Sequence, residues 1–321
     1  MPAVMTAWAE TIEAIHADLS RVVIGQAEVI SGVLAGLFCG GHVLLESTPG
    51  LGKTLLVKSL SQVLDLTFTR VQCTPTLTPE AIIGTTLVPG QPDTFQPGPL
   101  FTHLLLMDEL NRSQPDTQSA LLEAMGEQQV TVGGITSPMA SPFLVLATQN
   151  PIEMEGTYPL PQAQLDRFMF YVTVPYPAFA DLIEIGTMTT DGSVRPLTPH
   201  LDAKGIQLIQ AAVRQLPVPA SVTRYAARLV YATHPHSVWA LPDTLHYLRY
   251  GVSPRGFQSL LLGAKYRALC DGRPVVTSDD IQALLPCSFL HRLGLSYEAA
   301  ATGEDATQLL TTLLASVPLE D

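Results

Sequence analysis

The residues best suited to chemistry follow a short apolar run near the start of the chain. Residues 47–54 read STPGLGKT, so a glycine-rich turn leads directly into Lys53 and Thr54. A glycine backbone can wrap a phosphate because no Cβ blocks its amides, a lysine ammonium neutralises phosphate charge, and a hydroxyl can bind Mg²⁺. We predict that this loop binds the phosphates of a nucleotide. The candidate binding residues are Thr48, Pro49, Gly50, Leu51, Gly52, Lys53 and Thr54.

One position of this loop departs from the usual pattern G-x-x-x-x-G-K-[ST], because Ser47 stands where the first glycine is expected. If the position requires a positive φ, serine costs about 1 kcal/mol and changes nucleotide affinity. If the backbone is extended there, serine costs almost nothing. A chance glycine-rich turn is the alternative interpretation, but a predicted strand before the loop and a predicted helix after it favour phosphate binding. We expect hydrolysis to survive the substitution.

A second candidate group ends the apolar run LLLMDE at residues 104–109. A nucleotide site of this type needs a carboxylate at the tip of a neighbouring strand to hold Mg²⁺, and Asp108 meets that need. The adjacent Glu109 is suited to act as a general base that activates water for attack on the γ-phosphate. The alternative is that both carboxylates cap a helix beginning near Pro115, which does not explain why an apolar strand delivers them. Loop and strand together predict nucleotide hydrolysis.

Composition limits the class of protein. The net charge of −12, from 17 basic and 29 acidic residues, opposes binding to a phosphate backbone, and no Lys/Arg run offsets it, so we expect no nucleic-acid partner. No apolar stretch is long enough to cross a bilayer and the N-terminus lacks a basic leader region, so we expect a cytoplasmic protein without membrane insertion. The cysteines lack metal-site spacing and are predicted to be free thiols.

Apolar runs alternate with helical patterns over the first half of the chain. Such alternation is typical of a parallel sheet covered on both faces by helices. A Gly/Pro-rich segment at residues 80–101 is too irregular for one helix, and residues 129–138, with Gly133-Gly134 at the centre, predict a β-hairpin. The predicted strands are residues 42–46, 66–72, 104–109, 142–150 and 168–174.

Helical patterns dominate after Pro175, and residues 191–200 are predicted to be a linker. Thr277 and Asp280 have the spacing of a capping box at the start of a late helix. We therefore predict an α/β domain followed by a helical domain. Their predicted ranges are residues 1–176 and 177–321.

Several long segments resemble, in the right order, the MoxR family of AAA+ ATPases, and the resemblance covers essentially the whole chain. It implies a P-loop NTPase (AAA+) fold, in which a five-stranded parallel sheet flanked by helices is followed by an α-helical lid domain. It also implies that residues 80–101 form the helix-2 insert and residues 129–138 the hairpin before sensor 1. The segments are IGQ (24–26), the loop at 47–54, MDELNRSQPDTQSALLEAMGEQQVTV (107–132), ATQNPIEMEGTYPLPQAQLDRF (147–168) and SPR (253–255).

The resemblance assigns roles that the residue types alone leave open. Asn150 matches sensor 1, whose amide orients the attacking water or the γ-phosphate. Arg167 matches the arginine finger, which reaches the nucleotide of a neighbouring subunit and offsets transition-state charge. Arg255 matches sensor 2, which brings the helical lid onto the phosphates. The turn that contacts adenine matches Ile24 and Gly25.

The same resemblance implies ATP and Mg²⁺ as cofactors and a homo-oligomeric ring, a hexamer in similar proteins. It implies a chaperone-like ATPase that remodels or activates a client protein or a metal-cofactor assembly, with a partner that carries a von Willebrand factor type A domain. A chelatase-like motor subunit for metal insertion and a nucleotide-gated scaffold with little turnover stay open as alternatives. A nucleic-acid motor is disfavoured because the hairpin segment has no basic residue. The role of Arg112, which also matches a family arginine, stays open.

Overall fold

The computed structural model describes residues 2–86, 95–151, 156–190 and 195–319. Contacts divide the chain into two compact units, which we call the sheet unit and the helical unit. The chain passes between the units more than once, and the short segment Pro161–Tyr171 groups with the C-terminal part. The domain boundary that the sequence places between residues 176 and 177 stays a prediction. The sheet unit contains Thr11–Leu160 and Val172–Ile209, and the helical unit contains Met1–Glu10, Pro161–Tyr171 and Gln210–Asp321.

Strands and helices alternate through the first half of the chain, as the apolar pattern indicates. The elements are α1 Pro2–Val22, α2 Ala27–Cys39, β1 Val43–Glu46, α3 Lys53–Val63, β2 Phe68–Gln72, α4 Pro79–Ile83, β3 Gly84–Thr86, β4 Phe95–Pro97, β5 Leu104–Asp108, α5 Pro115–Glu127, β6 Gln129–Val132, β7 Ile135–Pro138, β8 Leu144–Gln149, α6 Gln162–Leu165, β9 Phe170–Thr173 and α7 Phe179–Thr190. Helices then dominate. The remaining elements are α8 Ala203–Gln215, α9 Ala220–Ala232, α10 Pro242–Tyr247, β10 Leu248–Tyr250, α11 Pro254–Cys270, α12 Ser278–Phe289, β11 Gly294–Leu295, α13 Tyr297–Thr302 and α14 Ala306–Ser316.

The central sheet has five strands in the order β2-β5-β8-β1-β9, and the pairs β2/β5, β5/β8 and β1/β8 are parallel. Every residue of β5 is buried, as are Leu144–Thr148 of β8. Strands covered on both faces need apolar side chains on both, which explains why these runs are continuous rather than alternating. The predicted five-stranded parallel sheet flanked by helices is confirmed.

One edge of this sheet collects the candidate residues. The carboxyl ends of parallel strands lie at the same edge, where loops form ligand sites in open α/β folds. β1 ends there and leads through residues 47–52 into α3, while β5 ends in Asp108 and β8 ends just before Asn150. Because β8 lies between β1 and β5, a single strand separates the glycine-rich loop from the acidic pair.

The irregular segment at 80–101 contains all but the first residue of α4 and the antiparallel pair β3/β4. Gly84 begins β3 with φ 112°, and a Cβ there would lie 2.2 Å from the carbonyl oxygen of Gln96, so only glycine fits. Some predicted segments fall partly outside the described residues. These parts are 87–94 of the insert, 152–155 of the segment around Asn150 and 191–194 of the predicted linker.

The predicted hairpin is confirmed as β6 and β7, which pair antiparallel. Gly133 and Gly134 have φ of 59° and 85°. Positive φ at both central residues is the requirement of a two-residue type I′ turn, whose twist matches that of the flanking strands. The Gly-Gly pair therefore fixes the register of the hairpin.

In the helical unit, α11 packs closely against α12, since a Cβ at Gly263 would lie 3.2 Å from Leu284. The predicted capping box is confirmed, with the Thr277 amide donating to Asp280 Oδ2 at 2.9 Å. The short antiparallel pair β10/β11 was not predicted, because its strands are too brief to show an apolar period. The predicted free cysteines are confirmed as Cys39, Cys73, Cys270 and Cys287.

A buried histidine in the sheet unit should make stability depend on pH. His42 Nδ1 accepts the Val145 amide, and burial lowers the pKa of His42 from 6.5 to about 4. Between these values the unfolded chain binds more protons than the folded chain, so the free energy of unfolding falls by about 3 kcal/mol as the pH drops from 7 to 4. Urea unfolding across this pH range should show a smaller fall in the free energy of unfolding for His42→Asn than for the wild type. An equal fall in both proteins contradicts the assignment to His42. It would point instead to His291, whose pKa burial also lowers strongly and which both proteins retain.

Candidate functional site

The glycine-rich loop connects β1 to α3 in the form that its sequence predicts. Gly50 and Gly52 have φ of 84° and 75°, which glycine adopts without steric cost. No heavy atom lies within 4 Å of a Cβ built at either glycine, so the positive φ rather than crowding favours glycine at these positions. α3 begins at Lys53 with no side chain capping it, which leaves its first amides directed toward the loop. Such amides and the helix dipole favour an anion.

Lys53 lies within this loop rather than extending into solvent. Its Nζ donates to the carbonyl oxygen of Thr48 at 3.2 Å. Burial of the ammonium lowers the pKa of Lys53, and the nearby carboxylates of Asp108 and Glu109 partly oppose that shift. A cation that has already lost part of its hydration gains more from binding a phosphate oxygen.

A cavity of about 280 Å³ brings the loop and the acidic strand end together. Lys53 and Thr54 contribute to one wall, and Asp108 and Glu109 line the same cavity. The two groups that the sequence singled out separately therefore share one space. The full lining is residues 49–55 with Arg70, Gln72, Asp108 and Glu109.

Asp108 is buried, and two neighbouring strands fix its carboxylate. The Thr148 hydroxyl on β8 donates to Oδ1 at 2.8 Å, and Arg70 on β2 donates to Oδ2 at 2.7 Å. Thr148 Oγ1 also accepts the backbone amide of Glu109 at 2.8 Å. The end of β5 is thus held from both sides, and the carboxylate keeps one orientation toward the cavity.

Glu109 has an unusual backbone for a residue with a side chain. Its φ of 57° and ψ of 51° place it in the left-handed region, and a short 3-10 turn follows. Its Oε2 accepts Gln72 Nε2 at 2.9 Å and pairs with Arg112 Nε at 3.2 Å. The capping alternative for the acidic pair is wrong, because Gln114 occupies the N-cap position of α5.

Sequence reasoning missed the polar residues that hold the two carboxylates, namely Arg70, Gln72 and Thr148. A signal for two of them was present, because FTRVQ alternates and places Arg70 and Gln72 on the same face of β2. Only the strand order shows that β2 and β8 flank β5, and the linear sequence does not contain that order.

The segment matched to the adenine-contacting turn borders a second cavity, of about 340 Å³. Gly25 and Gln26 line it, while Ile24 is buried close by. The Gln26 side chain donates to the carbonyl oxygen of Leu51 at 2.8 Å, so the turn is tied directly to the glycine-rich loop. A predominantly apolar pocket joined to a phosphate-type loop suits the flat ring of a nucleotide base.

Comparison with known proteins shows where this architecture recurs. Residues 42–170 match the ATPase family associated with various cellular activities (AAA), and residues 244–313 match the AAA lid domain. The chain is 38% identical to the YeaC protein of Bacillus subtilis, over 93% of this chain and 92% of that protein. It is also 38% identical to Chaperone MoxR1 of Mycobacterium tuberculosis, over 98% of this chain and 84% of that protein. The chain belongs to the MoxR family of AAA+ ATPases.

A solved structure agrees with this assignment of the MoxR-family ATPase. The crystal structure of a provisionally assigned ATPase from Cytophaga hutchinsonii superposes with a TM-score of 0.91 at 37% identity, covering 98% of this chain and 96% of that one. The predicted AAA+ fold and the predicted ATP-hydrolysing activity are confirmed. The chain is therefore a nucleotide-binding enzyme, from a family whose members are typically oligomeric. Across the described ranges, none of the helices combines the length and apolar composition needed to cross a bilayer.

The remaining predicted site residues lie in both units of the MoxR-family ATPase. Asn150 follows β8 in the sheet unit and is buried. Arg167 lies between α6 and β9 in the helical unit, where it is exposed, and Arg255 lies in the exposed first turn of α11 in the same unit. Their roles, and the open role of Arg112, stay predictions.

The serine in the loop should be nearly neutral for activity. Ser47 is buried, its φ is not among the positive values, and its Oγ donates to the carbonyl oxygen of Thr48 at 2.9 Å. We expect Ser47→Gly to leave the turnover number within about twofold and to lower the free energy of unfolding by about 0.5–1 kcal/mol, because glycine loses more backbone entropy on folding. Steady-state kinetics and urea unfolding measure both effects. Gly52→Ala, at a positive φ, serves as the contrasting variant, and a tenfold gain in turnover from Ser47→Gly contradicts the expectation.

Proposed function

We propose that this MoxR-family ATPase hydrolyses ATP in the cavity at the sheet edge and uses the energy to remodel or activate a client protein. The proposed site of hydrolysis is supported by one observation, that Lys53, Asp108 and Glu109 line the same cavity. Lys53 and the loop amides bind the β- and γ-phosphates. Glu109 takes a proton from the attacking water, whose oxygen bonds to the γ-phosphorus while the bond to the bridging oxygen breaks.

The residues of the cavity fit a magnesium ion. Thr54 supplies a hydroxyl and Asp108 a carboxylate, both oxygen donors of the kind Mg²⁺ prefers, and both line the same cavity. Mg²⁺ at such sites keeps several waters and is bound by one or two carboxylates together with substrate phosphates, so two protein donors are enough. When bound, Mg²⁺ neutralises charge on the β- and γ-phosphates.

Three further residues have proposed roles in hydrolysis. Asn150, at the end of β8, orients the attacking water or the γ-phosphate. Arg255 contacts the phosphates as sensor 2, and Arg167 acts on the nucleotide of the next subunit. A cation supplied by a neighbour requires an oligomer, for which we propose a hexameric ring.

The client-directed role is supported by the relatives and by the hairpin. A relative at 38% identity is named Chaperone MoxR1, and the β6/β7 hairpin has no Lys or Arg in residues 129–138. A hairpin without cations suits contact with protein better than with a nucleic-acid backbone. We propose a cytoplasmic remodelling ATPase whose partner carries a von Willebrand factor type A domain. Chelatase-like metal insertion and a nucleotide-gated scaffold remain the competing functions.

A trap for the client tests the remodelling half. Glu109→Gln protein, loaded with ATP, should bind the client stably because hydrolysis no longer releases it. Lys53→Ala protein, in which phosphate binding is removed, is the matched control bait. Each captured protein is then incubated with the wild type and ATP, and its proteolysis pattern should change only when hydrolysis is possible.

The outcomes separate the competing functions. Capture that depends on ATP, followed by a hydrolysis-dependent change in the client, supports remodelling. A captured metal-cofactor enzyme that gains metal only during hydrolysis supports the chelatase-like function. Wild-type protein that binds ATP, hydrolyses it only slowly and leaves a captured protein unchanged supports the scaffold. Equal capture by both baits contradicts the proposal.

A further inference from the structure

A buried arginine in the helical unit holds the segment that contains Arg167. Arg292 follows α12 and is only 2% exposed. Its Nε donates to Asp166 Oδ1 at 2.8 Å, and its Nη2 donates to the backbone oxygens of Asp166 at 3.1 Å and Phe168 at 2.7 Å. Its Nη1 donates to the backbone oxygen of Met169 at 3.2 Å. One guanidinium thus fixes the backbone on both sides of Arg167.

The same carboxylate holds the start of α11, which carries Arg255. The Ser253 hydroxyl donates to Asp166 Oδ1 at 2.6 Å. Ser253 Oγ also caps α11, accepting the amides of Arg255 at 3.1 Å and Gly256 at 3.4 Å. A hydrogen-bonded chain of two side chains, Asp166 and Ser253, therefore runs from the residue before Arg167 to the backbone amide of Arg255.

Close packing reinforces this connection. A Cβ at Gly256 would lie 2.7 Å from Arg292 Cδ and 2.3 Å from Val252 Cγ1. The stem of Arg292 therefore presses against α11 at the residue after Arg255, with no space for a larger side chain. Both candidate cations are attached to one packed cluster within the helical unit.

Stabilisation of the fold alone does not explain this buried cluster. A buried guanidinium loses its hydration, and burial lowers the pKa of Arg292 although Asp166 opposes the shift. Apolar replacement of a buried ion pair is often neutral or stabilising, so such a pair is weak support for a purely stabilising role. Its distinctive property is the direction of its hydrogen bonds, because the three guanidinium nitrogens donate to four acceptors on the segment around Arg167.

We propose that Arg292, Asp166 and Ser253 form a positioning joint that holds Arg167 and Arg255 in one mutual geometry. When Arg255 moves onto the chain's own nucleotide, the joint moves Arg167 with it. Arg167 is the residue that serves the neighbouring subunit's nucleotide. Nucleotide binding at one site thereby determines whether Arg167 is positioned at the neighbouring subunit's site. This inference rests on the roles proposed above for Arg167 and Arg255.

A mixed-subunit assay tests the joint. The acceptor subunit is Arg167→Ala, which keeps Glu109 but offers no finger. The donor subunit is Glu109→Gln, which cannot hydrolyse ATP but offers Arg167. Mixing the two should restore hydrolysis at acceptor sites. Adding Ser253→Ala to the donor, which breaks the link to α11, should reduce the restored rate at least tenfold, and adding Arg292→Lys instead should do the same.

Matched variants separate positioning from loss of a helix cap. Ser253→Thr keeps the hydroxyl and should restore the rate to within twofold of the unmodified donor. Ser296, which caps α13 in the same unit and donates to the carbonyl oxygen of His246 at 2.8 Å, has the same local role without contact to Asp166. A donor with Ser296→Ala should therefore retain its activity.

Each result decides the proposal. If the Ser253→Ala and Ser296→Ala donors both restore the full rate, the joint is overturned while the trans finger stays intact. If both donors fail to restore the rate, the effect is loss of a helix cap and the joint is again overturned. No restoration by the unmodified donor overturns the proposed role of Arg167, and the joint with it.

Discussion

Replacing Glu109 with glutamine should lower the steady-state rate of ATP hydrolysis by about 10²–10⁴-fold while ATP still binds. The side chain of Glu109 lines the cavity with Lys53, and Gln72 and Arg112 orient it. Glutamine has nearly the same shape but cannot accept the proton of the attacking water. The charge of Lys53 and the loop backbone are unchanged, so the phosphates keep their binding groups.

Two measurements check this expectation. Phosphate release reports the chemical step, and equilibrium binding of a fluorescent ATP analogue reports affinity. Glu127→Gln, an exposed glutamate at the end of α5, is the matched control and should retain wild-type rates. A Glu109→Gln protein that hydrolyses ATP within threefold of the wild type would remove Glu109 from the mechanism.

Replacing Arg167 with alanine should lower turnover by about 10³–10⁵-fold, the range that arginine fingers supply in phosphoryl transfer. Arg167 is exposed on the helical unit, as a group serving a neighbouring subunit needs to be. Arg167→Lys should recover little of the loss, because lysine keeps the charge but not the planar fork that binds two phosphate oxygens.

If Arg167 acts on a neighbouring subunit's nucleotide, mixing two inactive variants should restore activity, which a residue acting within its own subunit cannot do. Arg167→Ala protein should regain hydrolysis when mixed with Glu109→Gln protein, although each is inactive alone. Arg214→Ala, which removes an exposed arginine at the end of α8 in the same unit, should leave turnover unchanged. Full activity of Arg167→Ala on its own would exclude the finger role.

Local patterns predicted much of this fold because their causes are local. The wholly apolar β5 is continuous because both of its faces are buried, and the Gly133-Gly134 pair fits a turn that needs positive φ twice. The spacing of Thr277 and Asp280 sufficed for the capping box, since its hydrogen bonds stay within one helical turn.

The polar contacts around the site could not be predicted because they join residues far apart in sequence. Arg70 reaches Asp108 only because β2 lies beside β5, and Arg292 reaches Asp166 across more than a hundred residues. The backbone at Ser47 was likewise undecidable, since its φ follows from how β1 leaves the sheet rather than from the residue type. Tertiary placement decides such features, and no alternation or spacing encodes it.

The left-handed backbone of Glu109 makes the proposed general base an evolutionary compromise. A residue with a Cβ in that region carries a conformational cost of about 1 kcal/mol, which glycine avoids and asparagine reduces. Selection for folding stability alone would therefore favour glycine or asparagine at this position, and neither supplies the proposed base. If Glu109 is the proposed base, glutamate persists there only while ATP turnover is under selection, so folding stability and activity place opposite demands on this one residue.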